Sequence, residues 1–124
     1  MNGQAGVIYE SPSLRILEMT APVGIRLIGH VDLSDRDELE RALKRLISAR
    51  TDIYIDLLKL EYTDVGGMRT IFDAAAYVAD DGCRLILLDP NPVVHRLIQI
   101  CGAFAPTTVE VERRSDIANV PGQS

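Results

Sequence analysis

The sequence predicts an α/β domain built on a mixed β-sheet, and three observations lead there. Two strand-like runs flank a turn near the N-terminus, so the sheet begins antiparallel. Helix-period segments then alternate with short strands, the pattern of helical crossovers between parallel strands. The 124 residues, 47% apolar and 25% charged, suit one soluble globular domain with one core.

Residues 1–12 mix Gly, Gln, Ser and Pro without periodicity and read as a flexible N-terminus, with a domain over 13–118 and a flexible end at 119–124. Leu14 to Thr20 and Val23 to Asp32 flank Ala-Pro-Val-Gly and form the hairpin, with Ile25, Leu27 and Val31 on one face. Ser34, followed three residues later by Asp37, reads as a helix start. Leu39, Ala42, Leu43, Leu46 and Ile47 then trace one helical face, leaving Arg41, Lys44 and Arg45 in water. Ile53, Ile55 and Leu57 alternate with Tyr54 and Asp56 as a strand, and Arg84 to Leu88 is an apolar run suited to a strand covered on both faces.

Between those strands Met68, Ile71, Phe72, Ala75 and Val78 define a second helix, with Gly82 as the left-handed residue after its end. Asn91 as cap and Pro92 as first helical residue open a third, which turns Val94, Leu97, Ile98 and Cys101 inward and closes at Gly102. Thr107 to Glu112 reads as a last strand. Ser115 then caps a helical stub containing Ile117 and Ala118, which Pro121 stops. The predicted order is β-β-α-β-α-β-α-β.

Composition removes several classes of function. Eighteen acidic residues against 13 basic ones give a net charge of −5, which opposes the phosphate neutralisation that nucleic-acid binding requires. No apolar stretch approaches the roughly 20 residues of a membrane-spanning helix, and Met1 to Ser11 lacks a basic and hydrophobic leader pattern, so a cytoplasmic protein is expected. Cys83 and Cys101 form no C-x-x-C pair and no zinc set with His30 and His95; they read as buried small hydrophobes. No metal and no cofactor is expected.

Catalytic patterns are also missing. Neither G-x-x-x-x-G-K-[ST] nor G-x-G-x-x-G follows a predicted strand, and no G-x-S-x-G or cysteine motif gives the histidines a nucleophile to activate. The chain therefore reads as a non-enzyme. His95 reads as a surface residue of the third helix, and His30 as part of a loop rim.

The most informative segment is Tyr62-Thr63-Asp64-Val65-Gly66-Gly67-Met68, where a strand enters a helix through a cap residue and two glycines. Glycine costs about 1 kcal/mol relative to alanine in a helix, so a pair in the first turn signals a close approach or an unusual backbone.

From residue 14 to about 118 these elements and motifs resemble the STAS family, whose founding members are anti-sigma factor antagonists. Gly29-His30-Val31-Asp32 resembles the family's G-E-[LI]-D turn. Ile55-Asp56-Leu57 with Asp64-Val65-Gly66-Gly67-Met68 resembles its D-L-S strand and D-S-S-G-L corner, and Arg84 to Pro90 with Val93 to Gly102 resembles the strand and helix that follow. The resemblance implies a STAS-like fold and a partner-switching regulator. In that scheme the unmodified antagonist captures an anti-sigma factor that is also a serine kinase, and phosphorylation of a corner serine ends the capture.

The corner departs from the family where phosphorylation occurs. Its two serines align with Val65 and Gly66, which carry no hydroxyl; Thr63 and Thr70 are the nearest ones. The implied partner-binding surface comprises His30, Asp32, Asp64, Val65, Gly66, Gly67, Met68 and Arg69. A second implication is a STAS-type sensor of a nucleotide or lipid, or a scaffold subunit of a signalling complex.

Overall fold

The computed structural model describes residues 6–115. Among them, a six-stranded sheet runs in sequence order, from β1 (Val7–Glu10) through β2 (Leu14–Thr20), β3 (Val23–Val31), β4 (Ile53–Thr63) and β5 (Leu85–Leu88) to β6 (Glu110–Glu112). The first three strands pair antiparallel, and β3 to β6 pair parallel. Each parallel connection carries a helix: α1 (Arg36–Ile47), α2 (Val65–Asp80) and α3 (Pro92–Gly102). The mixed sheet with helical crossovers is the predicted architecture.

Hydrophobic period explains these elements. In β2 and β3 the alternate residues Leu14, Ile16, Ile25 and Leu27 are buried, and Thr20 pairs with Val23 across the hairpin turn. Leu39, Ala42 and Leu43 turn α1 inward, and Met68, Ile71, Ala75 and Val78 do the same for α2. All four residues of β5 are buried. Gly82 takes a φ of 74° after α2, and Asn91 accepts from the Val94 N–H at 2.8 Å to cap α3.

Several expectations are corrected. Residues 7–10 form an edge strand rather than part of a flexible tail. The side-chain cap before α1 is Asp32, not Ser34: its Oδ1 accepts the Ser34 N–H at 3.0 Å and opens a 3-10 turn, Leu33–Asp35, ahead of the helix. The last strand is shorter than 107–112, and Cys83 and Cys101 are half-buried free thiols at the core's margin. Of the two proposed flexible ends, residues 1–5 and 119–124 lie outside the described residues, as do Ile117 and Ala118 of the stub.

The edge strand is held by a carboxylate. Asp35 is fully buried and accepts hydrogen bonds from Tyr9 (2.9 Å), Ser11 (2.8 Å) and Ser13 (2.5 Å). Burial pushes this carboxyl's pKa up, but the three hydroxyl bonds outweigh it and hold the group below the ordinary aspartate value. A depressed folded pKa means the contribution is complete above the unfolded value near pH ~4 and fades as acid titrates the folded group. Asp35→Ala should therefore cost about 2 kcal/mol at neutral pH, and its stability should vary less than wild type's below pH ~4. Urea melts at both pH values, with amide exchange in Val7–Glu10, check this; equal acid sensitivity in both proteins would count against the clasp.

A second buried carboxylate lies within β4. Asp56, expected simply to alternate with core residues, accepts from Arg26 Nε at 2.9 Å and from Arg114 Nη2. Arg114 also pairs with Asp89 at 3.3 Å, so the segment after β6 is tied to the sheet. Both arginines supply the countercharge that a buried aspartate requires.

Candidate functional site

Parallel pairing sets the site. His30 lies opposite Tyr62 and Val31 opposite Thr63, so the chain leaves β3 and β4 side by side at their carboxyl ends. In α/β sheets this is where binding loops gather. Gly29, with a φ of 104°, sits at a register shift before His30 and redirects the end of β3. The Asp64 N–H donates to Val31 O at 3.3 Å, joining the two exits.

Asp64 has two roles. Its Oδ1 accepts the Gly67 N–H at 2.7 Å and caps α2, as the sequence predicted. Its Oδ2 accepts from Arg36 Nη2 at 3.0 Å, linking the first turns of α1 and α2. Asp32 closes the neighbouring turn through Ser34. Two acidic caps thus border the corner.

The predicted surface residues divide into two layers. Val65 is 53% exposed, Gly66 is half-buried, and His30 and Arg69 are exposed, so these side chains and backbone face outward. Gly67 and Met68 are buried, because the helical turn points them at the sheet; they shape the corner from beneath and present nothing to a visiting molecule. A Cβ on Gly67 would meet Thr63 Oγ1 and lie 2.9 Å from Val31 Cγ1. Thr63 is fully buried, and the Thr70 hydroxyl donates to Gly66 O at 2.9 Å.

Arg36 is the residue that sequence reasoning missed. The glycine pair had signalled a close approach, and the approaching group is internal: the Arg36 guanidinium lies where a Gly66 side chain would begin. Beside the corner, a groove of about 360 Å³ between α2 and α3 is lined by Val65, Arg69, Phe72, Ile100 and Phe104. No helix among the described residues is long and apolar enough to cross a membrane.

A family model described as "Mlab, STAS domain" matches residues 17–104. The chain belongs to the STAS family. An anti-sigma F factor antagonist of Paenibacillus polymyxa is 28% identical to this STAS domain over 82 residues, covering 64% of the chain and 70% of that relative. Among solved structures, the anti-sigma factor antagonist SpoIIAA in its unphosphorylated form superposes with a TM-score of 0.64 at 23% identity, over 89% of this chain and 97% of its own. Apo-SiaC from Pseudomonas aeruginosa gives 0.55 at 9% identity, over 86% and 96%. These two likenesses establish a SpoIIAA-like fold, and the fold and family together support a regulatory, protein-binding role.

Proposed function

We propose that this STAS domain is a non-catalytic cytoplasmic regulator that captures an anti-sigma factor or related serine kinase through the corner between β4 and α2. It does so without being phosphorylated at the usual site. The observation that carries this reading is the corner itself, with Val65 exposed and Gly66 half-buried, where the two positions carry no hydroxyl. The partner face is His30, Asp32, Asp64, Val65, Gly66 and Arg69, supported from below by Gly67 and Met68. The relative named an anti-sigma F factor antagonist supports the choice of partner.

An affinity pull-down from the native host, read by mass spectrometry, tests the partner. An anti-sigma factor or serine kinase among the prey supports the proposal; recovery of neither overturns it. Incubation of the chain with that kinase and ATP is expected to leave its intact mass unchanged. Thr63 is buried and the Thr70 hydroxyl is committed to Gly66 O, so neither offers a ready acceptor. A phosphopeptide at Thr63 or Thr70 would refute the unswitched reading.

The groove between α2 and α3 favours a second reading, a nucleotide- or lipid-sensing domain or scaffold subunit. Its volume of about 360 Å³ lies within the range of small-ligand pockets. A concentration-dependent rise in melting temperature with nucleotides would support that reading, since binding to the native state alone stabilises it.

A further inference from the structure

Gly66 is small because Arg36 needs the space. A Cβ on Gly66 would overlap the Cζ, Nη2 and Nε atoms of Arg36. The guanidinium reaches this point from the first turn of α1, and Asp64 Oδ2 holds it at 3.0 Å. A guanidinium carries five N–H donors. Among the described residues Arg36 uses its side chain in this one hydrogen bond, and its Nε is buried without an acceptor. The side chain is nonetheless 35% exposed, so the unspent donors belong to a group that a visiting molecule can reach.

Apart from Asp64, the chain near Arg36 carries exposed apolar residues. Leu33, three residues before Arg36, and Val65, beside Gly66, are each more than half exposed. An arginine with exposed aliphatic residues close by in the chain is a composition found at protein interfaces, where a docking partner excludes water from the charge.

We propose that Arg36 is the cationic anchor of the docking face and receives a carboxylate side chain of the partner protein. This rests on the protein-binding reading above and specifies the partner's chemistry. The guanidinium fork matches a carboxylate. Asp64 already neutralises part of its charge and Asp32 stands on the same rim, so a singly charged group is accepted where a phosphate dianion would be repelled more strongly.

Gly66 makes the inference testable by two independent routes. The atoms that a Gly66 Cβ would meet are the movable end of a long side chain, so Gly66→Ala displaces Arg36 from Asp64 without deleting a charge. Arg36→Ala removes the anchor outright. Both variants should fold, since a partly exposed ion pair contributes at most about 1 kcal/mol.

The probe is the partner retained by the wild-type chain, identified by mass spectrometry and purified, with affinities measured by calorimetry at low and high salt. Arg36→Ala and Gly66→Ala should each weaken binding about 30-fold. Arg36→Lys should recover part of the loss, and the double variant should bind no worse than Arg36→Ala alone. The salt dependence should shrink when Arg36 is removed. Wild-type affinity in both single variants, or losses that add in the double variant, would overturn the anchor while leaving the protein-binding reading intact. If the wild-type chain retains no partner, that reading fails and the anchor with it.

Discussion

Gly24→Ala is expected to lower the melting temperature by about 10 °C, through a loss of about 3 kcal/mol. Gly24 lies near the start of β3, opposite Tyr54 in the parallel ladder, and is fully enclosed. A Cβ there would overlap the Tyr54 carbonyl oxygen and crowd its carbon at 2.7 Å and nitrogen at 3.0 Å. All three are backbone atoms, so no side chain can swing aside. Relief requires β3 and β4 to separate at the centre of the sheet, where Ile25 and Ile55 form the core. Gly82→Ala is the control: its φ of 74° is strained for alanine, but no atom lies within 4 Å of the new Cβ, so about 1 kcal/mol is expected. Thermal melts of both variants decide the matter. Equal losses would mean that backbone conformation, not the strand contact, sets the cost at Gly24.

The features legible in the sequence are those that local pattern controls. The hairpin from Leu14, the inward faces of α1 and α2, and the Asp64 and Asn91 caps each depend on residues within a few positions of one another. The features that escaped depend on distant partners. Val7–Glu10 does carry the strand-favouring run Val-Ile-Tyr, but it is too short to stand out beside the Gly, Ser and Pro around it; its place is fixed by β2 and by hydroxyls reaching Asp35 across 22 to 26 residues. Asp56 has the spacing of an ordinary outward residue; the Leu58 N–H satisfies one oxygen locally, but the countercharge comes from Arg26 and Arg114, 30 and 58 positions away. At the site, two glycines announced that something approaches the helix start. The approaching group was hidden because Arg36 lies 28 residues before Asp64 and on another helix.

Gly66→Arg separates surface from fold most sharply. The variant should lose more than 100-fold in affinity for the partner while circular dichroism and melting stay close to wild type. Two guanidinium groups cannot share the space over α2, so the new side chain is driven outward past Val65 and Arg69, onto the proposed docking face. There it adds bulk and like charge where close contact is needed. Stability changes little because two terms oppose each other. Replacing glycine within a helix gains up to about 1 kcal/mol, and disturbing the partly exposed Arg36 to Asp64 pair loses at most a similar amount. Calorimetry with the purified partner supplies the affinity and a thermal melt supplies the control. Undiminished affinity in a folded variant would place the docking face away from the corner, and the groove between α2 and α3 would then be the surface to examine.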